Sequence, residues 1–264
     1  MIRRVLVWAV VGWLSATAAW AADVKDPLVR ARMLYNDGQF DDAIVAADEA
    51  RKDALKAGSA DLIAARAYLE RYRTAAAEID LATARERLRR VDAERFTASE
   101  RLEFLVGVGQ TLYFDGSSGA SALVFASVLD APVELPAEGR ERVLDWWATA
   151  LDRDSRPRPD IERQGVYQRI RDRMALELAA GPGNVSALYW AAAAARAQGD
   201  LQAAWDAAQA AWVRAILAGG RAARLRTDLE ELVTRAIIPE RARVLGAPAE
   251  TLSADWSAFK QKWN

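Results

Sequence analysis

One stretch limits the possible folds more than any other: Val185 to Leu217, VSALYWAAAAARAQGDLQAAWDAAQAAWVRAIL. Two alanine-rich runs flank Gln198-Gly199-Asp200. Alanine has the best helix propensity, and a glycine just past a helix takes the left-handed conformation that ends it. Asp200 can then cap the next helix by accepting from its free N–H groups. Small residues at Ala192, Ala195, Ala204, Ala208 and Ala211 let two helices approach closely. The stretch therefore predicts a tight helical hairpin.

The same logic opens the chain. Asp26-Pro27 starts a helix with proline at a first-turn position, where its missing N–H does no harm. Leu28, Ala31, Leu34 and Tyr35 recur at helical spacing, and Asn36-Asp37-Gly38 breaks the helix. Phe40, Ala43, Ile44, Ala47 and Ala50 give the second apolar stripe. The spacing Ala31-x-x-Leu34-x-x-x-Gly38-x-Phe40-x-x-Ala43-Ile44 resembles the tetratricopeptide repeat (TPR). Residues Ala192, Ala195, Gly199, Leu201, Ala204, Ala208 and Ala211 match it a second time. The family's early tryptophan position is held instead by Pro27 and Leu188.

Weaker copies lie between. Asp61 to Ala77 and Ile79 to Val91 predict a third hairpin. Thr97 and Glu100 have capping-box spacing, and Leu102 to Phe114 with Ala120 to Leu129 predict a hairpin around Gly116. The intervals Gly38 to Gly116 and Gly116 to Gly199 are each near two repeats of about 40 residues. Residues 136–180 fit less well: a helix to Leu151, a charged proline-broken loop (Asp152 to Pro159) and a long helix, Ile161 to Ala180. Arg221 to Ile237 predicts a further helix, and Pro239 interrupts the segment after it. Trp256, Phe259 and Trp263 share one face of a last helix, which is expected to cap the open end of the array. No segment reads as a strand. The expected fold is all-α: a right-handed solenoid of TPR-like helical hairpins with a C-terminal capping helix. Residues 22–132 carry the N-terminal hairpins, 133–183 an irregular hairpin, and 184–264 the C-terminal hairpin and capping helices.

Residues 1–21 are a different material. Arg3 and Arg4 precede an uncharged apolar run, Val5 to Leu14. Small residues come next, ending Ala19-Trp20-Ala21, the pattern of a cleaved secretory signal peptide. Arginine greatly outnumbers lysine and alanine is in excess, the bias of a GC-rich bacterial genome. An exported bacterial protein, periplasmic or secreted, is therefore expected, with no stable membrane span once the signal is removed. Loss of Arg3 and Arg4 takes the formal charge from −1 to −3. A chain so near neutrality has no general attraction to nucleic acid or anionic membrane.

The chain contains no His and no Cys. Ser-His-Asp and Cys-His sites are excluded, and the soft ligands of a zinc site are missing. Asp115 to Gly119 lacks the lysine and strand of a P-loop. In the 152–160 segment Arg156 and Pro157 stand where a calcium loop needs an oxygen ligand and a glycine. No metal, no cofactor and no catalytic residue are expected. The carboxylate pairs Asp41/Asp42, Glu100/Glu103 and Glu230/Glu231 are what a carboxylate-only glycan-active enzyme would have to use. Resemblance to the repeat family implies a non-catalytic scaffold that binds a protein or peptide. The alternative is a binding protein for a small molecule, lipid or glycan. Aromatic side chains supply most interface energy, so Tyr189, Trp190, Trp205 and Trp146 are the candidate partner-binding residues.

Overall fold

The computed structural model describes residues 25–133 and 135–263; the signal peptide expected at 1–21 lies outside them. The described chain is all-helical, with no strand. It gathers into two compact units that divide between Asp115 and Gly116.

The first unit holds α1 (Pro27–Asn36), α2 (Phe40–Ala50), α3 (Ala57–Ala75), α4 (Glu78–Arg89) and α5 (Ala98–Phe114). Asp26 caps α1 by accepting from the Leu28 N–H at 2.9 Å, with Pro27 in the first turn. Thr97 and Glu100 close the expected capping box on α5. Gly38 takes the turn between α1 and α2 with φ +75°. The α3–α4 turn places Ala76 at φ 52°, a conformation alanine adopts only under strain. Each helix packs on the next through α4, and α1 also packs on α3, and α3 on α5. The contacts are made by small residues: Ala31, Ala43, Ala47, Ala60 and Ala64 are all fully buried between α1, α2 and α3.

The second unit holds α6 (Ser118–Leu129), α7 (Ala137–Ser155), α8 (Asp160–Ala180), α9 (Val185–Ala197), α10 (Leu201–Leu217), α11 (Ala223–Leu232), α12 (Ile238–Leu245) and α13 (Ala249–Gln261). The alanine-rich hairpin is α9–α10. Asn184 and Asp200 cap its two helices by accepting from the N–H groups of Ala187 and Ala203, and Gly199 sits at φ +80°. Its five small residues are buried as expected. Successive helices pack from α6 to α11, and α9 also packs on α7 and on α11.

Three local expectations change. Helix α7 continues to Ser155, so the connection to α8 is short. Asp152 pairs with Arg156 and Asp154 with Arg158 one turn on, which carries the helix up to Pro157. Helix α6, expected to pair backwards, packs on α7. Pro239 does not break the chain's course. The helix widens into a π turn over Val233–Ile237 and resumes as α12, with Pro239 in its first turn. A π turn gives the ring the room that an α-turn denies it.

Candidate binding face

Helix α9 lies between α7 and α11, and the three share one polar-aromatic face. Two carboxylates one turn apart on α7 serve two donors one turn apart on α9. Glu141 accepts from the Ser186 N–H at 3.0 Å, satisfying a first-turn amide left without a helical partner. Asp145 accepts from Trp190 Nε1 at 2.9 Å. Trp190 is only 7% exposed, so its indole N–H needs that acceptor.

Asp145 forms no salt bridge among the described residues. Burial raises its carboxyl above the ordinary value, the Trp190 N–H opposes this, and Arg224 opposes it from further off. Asp228 of α11 is also raised by burial, with Arg224 opposing at 4.0 Å. Between these carboxylates stands Tyr189, half-buried. Its phenol is pushed up to about 12, by burial first and then by the negative charges of Asp228, Asp145, Asp152 and Glu231. Of these carboxylates Asp152, Asp228 and Glu231 each have an arginine one turn away on the same helix, and Asp145 has the Trp190 N–H.

The first unit has the same arrangement of alternate helices but a different electrostatic outcome. Arg32 of α1 pairs with Glu103 of α5 at 2.7 Å, and Arg66 of α3 pairs with Glu103 at 3.1 Å while its guanidinium covers the Tyr35 ring. Ser59 donates to Glu100. Charges there neutralise one another.

Of the four residues chosen from the sequence, the structure brings two together. Tyr189 and Trp190 meet edge to face, with centroids 5.4 Å apart. Trp205 is 8% exposed and belongs to the core, packed edge-on against Trp256 with Arg241 over its ring. Trp146 is half-buried beside Phe125 of α6. Trp190 itself is a tie between helices, which leaves Tyr189 as the aromatic group on the face. The sequence reading missed Asp145, Glu141 and Asp228. Glu141 and Asp145 do carry a signal, an i, i+4 acidic pair on one side of α7, but their partners come 45 residues later.

Five of the six carboxylates considered for glycan chemistry are ion-paired. Asp41 meets Arg71, Glu100 and Glu103 belong to the Arg32–Arg66 network, Glu230 meets Lys260, and Glu231 meets Arg235. Among the described residues no group of three or more acidic side chains is placed to hold a metal ion, and no helix is long and apolar enough to cross a membrane. No family model, curated protein or solved structure matches the chain.

Proposed function

We propose that the protein is an exported, non-catalytic interaction scaffold of the bacterial cell envelope, built as a right-handed solenoid of TPR-like hairpins with a C-terminal cap. Its face around Tyr189 receives a basic segment of a partner protein. One observation carries this reading: within each unit a helix packs on its neighbour and on the next but one. Side-chain contacts repeat at a matching interval, with Ser59–Glu100 and Gln110–Glu70 in the first unit and Trp190–Asp145 and Arg196–Glu240 in the second. Stacked hairpins of about 40 residues give this pattern, because each repeat contacts only its neighbours. The charge pattern supports the choice of partner. Asp145 has no ion-pair partner among the described residues and Asp228 has the exposed Arg224 at 4.0 Å, and a lysine- or arginine-rich segment would complement them.

The test is capture from envelope extract by residues 22–264, at low and at high salt, with wild type and the double variant Tyr189→Ala/Asp228→Asn. Both substitutions fall on partly exposed positions, so the fold is expected to survive, as circular dichroism would show. A partner held by wild type, released by salt and lost with the double variant supports the reading. A partner held equally by both proteins overturns this face as the binding surface.

A further inference from the structure

The last helix carries a lysine in an unusual place. Lys260 of α13 sets its ammonium 5.4 Å from the ring centroid of Trp212 on α10 and 5.7 Å from that of Trp256 on its own helix. The two indoles stand nearly perpendicular, at 74°, with centroids 5.6 Å apart, so they form two walls of a corner. Glu230 of α11 supplies the anion: one oxygen accepts from Lys260 Nζ at 2.6 Å and the other from Trp256 Nε1 at 2.9 Å. Phe259 stacks on Trp256 and Trp205 meets its edge, fixing that wall from both sides.

Two ring faces and one carboxylate around one nitrogen are the recognition elements of an ammonium site. The Trp256 wall is part of the core and the Glu230 carboxylate is held by the Trp256 N–H, so the corner keeps its shape without Lys260. Lys260 is not fully enclosed. Its side chain is 20% exposed and reaches the corner from the next turn of α13. Four rotatable bonds let the ammonium leave to solvent without unfolding α13.

We propose that Trp212, Trp256 and Glu230 form a binding site for a primary alkylammonium, and that Lys260 is a tethered internal plug for it. A tethered group competes at an effective concentration in the millimolar range or above. Free ammonium ligands are thereby excluded from the plugged site, and only a ligand with further contacts displaces the lysine. The shared ligand chemistry is an unbranched primary ammonium, carried by a free amine or by a lysyl side chain of a partner chain.

The experiment is titration of the full mature chain with n-butylammonium and, separately, with a capped Gly-Lys-Gly peptide, following the assigned Trp212 and Trp256 indole N–H resonances. Three variants are compared with wild type: Lys260→Ala, Lys260→Arg and the double variant Lys260→Ala/Glu230→Gln. Thermal melts establish that each is folded, and Glu230→Gln retains an oxygen for the Trp256 N–H. Removal of the plug is expected to tighten n-butylammonium binding about tenfold over wild type. Lys260→Arg should bind no better than wild type, and the double variant should lose the gain. Tighter binding of the peptide than of the amine by Lys260→Ala assigns the site to a partner's lysine, and equal affinities assign it to a free amine. Should a folded Lys260→Ala bind both probes no better than wild type, or should the gain persist without the Glu230 charge, the site is not an ammonium site and Lys260 only fastens the terminal helix.

Discussion

Truncating Trp256 to alanine tests how the C-terminal helix is held. The side chain is 1% exposed. It contacts Trp205 and Trp212 edge-on, lies stacked on Phe259, and donates to Glu230. Replacing a buried tryptophan by alanine costs about 3–5 kcal/mol through lost burial and the cavity left behind. The aromatic pairings are part of that figure and place this site in its upper half, since three rings lose a partner at once. The lost hydrogen bond adds little, because Glu230 retains Lys260. The net expectation is about 4 kcal/mol. Trp263, two turns further along and 50% exposed, should cost no more than about 0.5 kcal/mol on truncation. Urea unfolding followed by far-UV circular dichroism compares the two variants with wild type, and limited proteolysis reports release of α13. If Trp256→Ala costs less than about 1 kcal/mol, or no more than Trp263→Ala, α13 is not anchored by this residue and the capping argument fails.

The α7–α9–α11 face gives three further expectations. Asp145→Asn keeps an oxygen for the Trp190 N–H and removes a charge that burial disfavours. Because burial raises the folded carboxyl above its unfolded value, its contribution is full below the unfolded value and is lost as pH rises through the folded one. The variant should therefore be at least as stable as wild type near neutrality and show a flatter loss of stability as pH rises above the ordinary carboxyl value, as urea midpoints would register; a variant clearly weaker than wild type at neutral pH overturns this. Trp190→Phe removes the donor and leaves a half-buried carboxylate without it, at a cost of about 1–3 kcal/mol that should be larger at neutral pH than in acid; the same midpoints decide. Tyr189 should resist ionisation until about 12, so its ring-carbon resonance should stay at the phenol position while exposed tyrosines titrate, and early titration would refute its burial among carboxylates.

Much of the helical architecture was legible because its signals are local. Alanine stripes, Gly38 and Gly199 at positive φ, and the caps at Asp26, Thr97, Asn184 and Asp200 each act within a few residues. What escaped depended on compensation. Ala76 bends the α3–α4 turn without any breaker residue, held by the packing of the helices on either side. The segment Asp152 to Ser155 stays helical although it looks like a loop, since its charges pair one turn apart and Ser155 bonds back to the Asp152 carbonyl. Pro239 is tolerated because the helix just before it widens into a π turn, an adjustment that hydrophobic periodicity does not encode.

The candidate face shows a different limit. Periodicity fixes which residues share one side of a helix, but it does not say which helices stand beside each other. Trp190 and Asp145 are separated by 45 residues, and only the packing of α9 on α7 makes one the partner of the other. The same applies to Trp205, a candidate for partner binding from the sequence, which Trp256 covers from α13. Charge behaves likewise. A formal charge of −1 over the whole chain suggests an electrostatically neutral molecule. Yet in the first unit Arg32 and Arg66 neutralise the carboxylates of alternate helices, whereas around Tyr189 the guanidinium of Arg224 stands 4.0 Å from Asp228 and is largely exposed. Fields fall off within about a Debye length of roughly 8–10 Å, so the balance within each face decides what it attracts. For that reason the partner is sought with salt as a variable and with Tyr189 and Asp228 as the positions changed, since an acidic face of this kind should lose its ligand as ionic strength rises.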